Sequence, residues 1–312
     1  MERRLLGRSG LSIAPLVFGG NVFGWTADEP TSFDLLDRFV ERGFNAIDSA
    51  DVYSSFVPGN TGGESETVIG NWLKRRGRRD DVVIMTKVGM LEGREGLSTA
   101  NIETAVEESL RRLQTDYLDV YFAHLDDANT PLEETLTAFA RLVEAGKVRV
   151  LGASNYEPER VDAALVTATD RQLPRYEVLQ PGYNLYDRTF ERGLAALATE
   201  RELGVTCYFG LASGFLTGKY RSIDDVVGTS RASLLEQYFD ERGQRILAEL
   251  RETAEELSVS PAQVALAWLM GRPGVTAAIA SATRLAQLDD IMGAAELELP
   301  AEAMERLTRA GA

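Results

Sequence analysis

The chain has 312 residues, 44% of them hydrophobic and 26% charged, with a formal charge of −15, one cysteine and one histidine. That composition places it with globular chains rather than disordered ones, and the acidic balance argues against nucleic-acid binding. The lone Cys207 excludes a disulfide framework or a thiolate metal site within one chain, and the lone His124 excludes a histidine-rich metal site.

No apolar run approaches the length of a membrane span. The N-terminal stretch MERRLLGRSG has arginines with no apolar signal core behind them, so a cytoplasmic location is expected. The one basic cluster, KRRGRR at 74–79, reads as a solvated helix end.

In chain order, RLLGRSGLSIAPLVFGG reads as a β-hairpin turned at RSG that leads into a strand at 16–18. SFDLLDRFVERG then carries Phe33, Leu35, Leu36, Phe39 and Val40 at helical spacing and stops at Gly43. The strand-helix pair repeats. FNAID precedes a helix GESETVIGNWLKRR whose first turn starts at Glu64 or Ser65, DVVIMTK precedes STANIETAVEESLRRL, and LDVYFAH precedes PLEETLTAFARLVEAG. VRVLGAS precedes EPERVDAALVTA, EVLQ precedes RTFERGLAALATERELG, and VTCYFG and TAAIAS make the seventh and eighth strands.

Strand starts near 16, 44, 82, 118, 148, 177, 205 and 276 are mostly about thirty residues apart, the length of one strand-plus-helix unit. Eight such units predict an α/β fold: a (β/α)8 TIM barrel over residues 1–312, with an N-terminal β-hairpin and a long loop after strand seven. A doubly wound sheet is the competitor, but GGNVFG at 19–24 lacks the G-x-G-x-x-G spacing. About seventy residues separate strands seven and eight; the segment 209–241, ahead of helices near 243–257 and at SPAQVALAWLMG, is expected to cover the active-site mouth.

Chemistry concentrates at the strand ends. GFNAIDSADVY delivers Asp48 and Tyr53, DVVIMTK ends on Lys87, LDVYFAH on His124 and YEVLQ on Gln180. Each of these residues alone has an ordinary structural explanation, but a barrel brings them to one rim. A tyrosine beside a lysine makes a general acid. An ammonium about 4 Å from the phenol at an effective dielectric near ~20 supplies roughly 4 kcal/mol, against about 3 needed to bring the phenol toward ~7 to 8. Asp48 would hold Lys87 charged.

These stretches resemble the aldo-keto reductase family over nearly the whole chain: GFNAIDSADVY its first signature, RRLQTDYLDVYFAH its second, and VVIMTKVG its lysine stretch. The resemblance implies Asp48, Tyr53, Lys87 and His124 as a catalytic tetrad and NADP(H) as cofactor. It further implies Ser154, Asn155 and Gln180 on the nicotinamide carboxamide, Tyr208 stacked on the nicotinamide, and Leu211, Gly214 and Lys219 along the pyrophosphate. Arg284, Gln287 and Asp290 would surround the adenosine phosphate, with Ser281 or Thr283 capping that helix, and Gly20 and Asn21 belong to the same cofactor set. An arginine at a helix start favours NADPH over NADH.

Departures from the family pattern are Phe209 and Gly210 after the stacking tyrosine, Ala280 and Ser281 before the adenosine segment, and Ile291 at its end, where a polar contact to adenine is lost. Trp25 and Phe56, just beyond strands one and two, are the candidates for the substrate pocket. The chain lacks the long C-terminal loop of many family members, so an open pocket is expected. The expected function is NADPH-dependent reduction of an aldehyde or ketone, with Tyr53 as general acid and no nucleic-acid or membrane partner. The alternative is an NADP-binding regulatory or sensor subunit, since the resemblance extends to potassium-channel β subunits. A third reading, a lyase or isomerase, uses Lys87 as a Schiff base.

Overall fold

The computed structural model describes residues 1–226 and 232–312. Its centre is a closed parallel barrel of β1 (Leu16–Gly19), β2 (Ala46–Asp48), β3 (Val83–Val88), β4 (Leu118–Ala123), β5 (Val148–Ser154), β6 (Tyr176–Gln180), β7 (Gly204–Cys207) and β8 (Ala277–Ala280). Neighbours follow chain order, and β8 returns to β1 with Ile279 opposite Val17 and Ala280 opposite Phe18.

The surrounding helices begin where the sequence can cap them. Asp28 accepts from the Thr31 amide with Pro30 in the first turn, Ser98 accepts from the Asn101 amide, and Ser260 accepts from the Gln263 amide ahead of Pro261. In each of the helices Glu64–Arg76, Thr99–Leu113 and Leu132–Glu144, one apolar face lies against the barrel wall, as amphipathic spacing requires.

Strand side chains alternate between two cores. Leu16, Phe18, Ile47, Ile84, Tyr121, Leu151 and Leu179 join the layer beneath the helices, while Val17, Ala46, Val83, Met85, Val120, Phe122, Val150, Val178, Ala277 and Ile279 fill the barrel interior. Gly152 makes room there: a Cβ on it would meet the Phe122 ring at 2.4 Å.

The N-terminal hairpin pairs Arg4–Leu5 with Ser12–Ile13, and its Leu6, Leu11 and Ile13 join the interior cluster. The Arg4 guanidinium donates to the Met270 carbonyl at 2.8 Å, which ties the hairpin to the end of the helix Pro261–Met270.

Two features depart from expectation. The stretch 189–200 is not one helix but a 3-10 turn, Thr189–Glu191, and a helix, Leu194–Glu200, broken at Gly193 with φ 104°. A second small hairpin, Met90–Leu91 with Arg94–Glu95, follows β3. The described part of the insertion after β7 consists of 3-10 turns at Ala212–Thr217, Ile223–Asp225 and Glu236–Tyr238 and one helical turn at Ala232–Leu235. Phe215 stacks on Tyr238, which meets Tyr186 edge-on, so this part is anchored by an aromatic cluster beside the barrel. Residues 227–231 of the expected mouth-covering segment lie outside the described residues. Among the described residues no helix is long and apolar enough to cross a membrane, and no cluster of His, Cys, Asp and Glu could hold a metal ion.

Candidate active site

The inward row that fills the barrel with apolar side chains turns polar at its C-terminal layer. Continuing the alternation, Ala46 leads to Asp48, Met85 to Lys87, Phe122 to His124, Val178 to Gln180 and Ile279 to Ser281. Period two thus carries these polar residues to the C-terminal level of the barrel, and the turn after β2 adds Tyr53.

Lys87 is the hub. Its Nζ donates to Asp48 Oδ2, to the Ser49 carbonyl and to Tyr53 Oη, each at 2.7 Å, and its side chain is wholly buried. Burial pulls the amine below its ordinary value and the Asp48 charge pulls it back up. Three acceptors need three hydrogens, so the geometry describes an ammonium. Its nitrogen has no direction left for a Schiff base. Asp48 also accepts from Tyr53 Oη at 3.1 Å and from Gln180 Nε2 at 2.9 Å.

The Tyr53 phenol departs from the sequence expectation. Burial, and then the charge and hydrogen bond of Asp48, raise it well above its ordinary value instead of drawing it toward neutrality. The sequence put Lys87 beside the phenol but did not show that Asp48 would share the same hydroxyl. The His124 imidazole is held well below its ordinary value by burial and then by the Lys87 charge, so it is neutral at pH 7. Its Nδ1 is buried with no hydrogen-bond partner among the described residues, and its ring lies edge-on to Tyr53 with centroids 6.1 Å apart.

Beside this group, Ser154 Oγ donates to the Gln180 carbonyl at 2.8 Å. Asn155, with φ 56°, donates to the His124 carbonyl and accepts from Tyr208 Oη at 2.7 Å. The Tyr208 ring rests on Gly182, where a Cβ would meet it at 3.2 Å.

Residues 15–312 match the sequence model of the Aldo/keto reductase family. The chain belongs to that family. An uncharacterized oxidoreductase of Bacillus subtilis (strain 168), YrpG, is 34% identical over 98% of this chain and 95% of its own length. A probable voltage-gated potassium channel subunit beta of Arabidopsis thaliana is 33% identical over 95% of this chain and 92% of its own. The protein tas of Escherichia coli (strain K12) is 31% identical over 98% and 96% respectively.

In this aldo/keto reductase the donor set on the cofactor side suits a dinucleotide phosphate. Ser154, Asn155 and Gln180 bring amide and hydroxyl groups beside Asp48 and Tyr208, and Lys219 and Arg284 are exposed cations in an otherwise acidic chain, chemistry that suits an amide and phosphates. Gly214 has φ 100° beneath the Lys219 amine, and Leu211 is half-buried beside it. Gly20 permits close approach at the β1 end: a Cβ would meet the Asp48 carbonyl at 2.8 Å and Ser65 Oγ at 2.9 Å. Asn21 Oδ1 accepts from Ser281 Oγ at 2.6 Å.

The segment expected to meet the adenosine phosphate differs locally from that expectation. Its helix, Leu285–Gly293, has Arg284 as N-cap, and neither Ser281 nor Thr283 caps it. Instead Gln287 Oε1 accepts from the Thr283 amide and hydroxyl, and Asp290 Oδ2 accepts from Ser260 Oγ. Both residues therefore support the segment through local bonds. Ile291, where an asparagine is usual, is buried in the core. Phe209 is half-exposed with φ 56°, while a Cβ on Gly210 would meet Leu269 at 3.0 Å.

Trp25 and Phe56 form an edge-on pair with centroids 5.0 Å apart, Phe56 being 61% exposed. Sequence reasoning missed Ser49, whose carbonyl is one of the three Lys87 acceptors, because a backbone acceptor leaves no trace in residue type. It also missed Asp51, buried behind the same strand.

Proposed function

We propose that this chain reduces an aldehyde or ketone to the alcohol with NADPH, Tyr53 giving the proton. The observation that carries the reading is the bond from the Lys87 ammonium to Tyr53 Oη in a buried polar layer at the barrel mouth.

The raised phenol enters the reaction with its proton in place. A carbonyl oxygen at Tyr53 receives that proton as negative charge develops on it, and the ammonium supports the phenolate left behind. Neutral His124 can offer an N–H to the same oxygen without adding a charge. Asp48, held by Gln180, keeps Lys87 facing the phenol. Ser154, Asn155, Gln180, Tyr208, Lys219 and Arg284 would hold the cofactor, with Gly20, Asn21, Leu211, Gly214, Ser281, Gln287 and Asp290 shaping the backbone around it. Bound NADPH supplies the hydride.

NADPH oxidation measured across aldehydes, ketones and keto-sugars tests the reading, and consumption with at least one class is expected. Relatives named as potassium-channel β subunits favour a second reading, an NADP-binding regulatory subunit. Protein that purifies with NADP bound yet turns over no carbonyl would establish that one instead.

A further inference from the structure

The turn that carries Tyr53 also carries a carboxyl with no part in the mechanism above. Asp51 is 2% exposed, and its Oδ1 has no hydrogen-bond partner among the described residues. Its backbone amide donates to the Lys87 carbonyl at 3.3 Å, which ties the turn to β3 at Lys87, while its carboxyl feels the charges of Glu66 and Arg112 on the helices outside the barrel. The Val52 amide bonds the carboxyl, but one oxygen is left buried and unbonded, a costly arrangement that calls for an explanation.

Each group around Asp51 can be accounted for. Glu66, on the helix Glu64–Arg76, accepts from Thr86 Oγ1 at 2.6 Å and from Arg112 Nε at 2.6 Å, and is wholly buried. Arg112, on the helix Thr99–Leu113, is engaged by Glu66 and also approaches Glu108 at 3.8 Å. Tyr121, the outward residue of β4, has a buried hydroxyl with no hydrogen-bond partner among the described residues. With Glu66 paired to Arg112 and Asp48 to Lys87, Asp51, once its proton is lost, adds a negative charge with no cation bonded to it among the described residues.

Lys87, though paired, is itself wholly desolvated and needs negative potential to remain an ammonium. The Asp51 and Glu66 charges both act on it in that direction, and the Lys87 charge acts reciprocally on Asp51.

We propose that Asp51 is a positioning residue for Lys87: a carboxylate in the turn tied to β3, whose charge keeps the amine in the triply donating form that holds Tyr53. The proposal rests on Lys87 serving Tyr53 as described above, but it is read without turnover. The chain has four lysines, Lys74, Lys87, Lys147 and Lys219. Lysine-selective 13C labelling therefore gives four ε-carbon signals, and the Lys87 signal is the one lost in Lys87→Arg.

In the unaltered protein the Lys87 signal should shift in a small step near pH 7, as Asp51 ionises. In Asp51→Asn that step should vanish and the Lys87 midpoint should fall by about one pH unit, while Asp51→Glu should restore both. A purely structural role for Asp51 would change folding without moving the Lys87 titration. A Lys87 signal with no step near neutrality in the unaltered protein, or a midpoint unmoved in folded Asp51→Asn, overturns the proposal. Should Asp51→Asn fail to fold, the step in the unaltered protein decides alone. Absence of any carbonyl turnover would count against the reductase reading and leave this titration readable.

Discussion

Gln180 Nε2 donates to Asp48 Oδ1 at 2.9 Å, joining the end of β6 to the end of β2 across 132 residues of chain. One amide thereby serves both halves of the site, since the same side chain stands among the groups proposed to read the cofactor.

Gln180→Ala should therefore lower cofactor affinity and kcat together, each by about tenfold, the worth of a hydrogen bond to a charged group. Fluorescence titration with NADPH and steady-state kinetics would separate the two. A variant that binds cofactor poorly but turns over normally would show that the bond to Asp48 is idle.

Tyr53→Phe removes the hydroxyl that Lys87 and Asp48 share. Carbonyl reduction should fall by about 10³-fold while NADPH still binds, as expected for a lost general acid. Near-normal turnover would sink the mechanism.

Lys87→Met leaves Asp48 buried without its cation, and the fold should lose about 3 kcal/mol. Adding Asp48→Asn should return part of that loss, because the remaining partner is then neutral. Urea melts of the two single variants and the double variant give the comparison, and additive losses would mean that the pair is not coupled.

Burial and then the Glu66 charge push the Asp51 carboxyl up to about 7, whereas unfolded it titrates near ~3.9. Between those values the folded chain holds the extra proton. The stability this gives is complete below the unfolded value and is lost as pH rises through the folded one. Asp51→Asn should then be more stable than the parent at pH ~8, by up to about 4 kcal/mol, with no advantage at pH ~4. Equal stability at pH ~8 would place the folded carboxyl at an ordinary value.

Arg284 and Lys219 are exposed cations, proposed above to meet the adenosine phosphate and the pyrophosphate. Arg284→Ala should cut the preference for NADPH over NADH by about tenfold. An unchanged ratio of the two kcat/KM values would remove Arg284 from the 2′-phosphate.

Much of this site was legible because two simple periods govern it. Strand starts expected at 16, 118 and 148 coincide with Leu16, Leu118 and Val148, and the period of two sends Asp48, Lys87 and His124 inward. What escaped depended on backbone conformation or on depth. Gly193 breaks a helix that apolar spacing alone would continue. The reach of Gln287 back to Thr283 replaces a cap that residue type assigned to Ser281 or Thr283. Asp51 sits in the most readable stretch of the chain, yet it follows the end of β2, where alternation no longer says which way a side chain faces.

The hairpin stoppers the barrel from below with Leu6, Leu11 and Ile13, and the apolar interior is filled up to Lys87. On the reaction proposed above, the carbonyl would arrive and the alcohol depart at the same Tyr53 rim, so a high alcohol concentration should slow the forward reaction by occupying it.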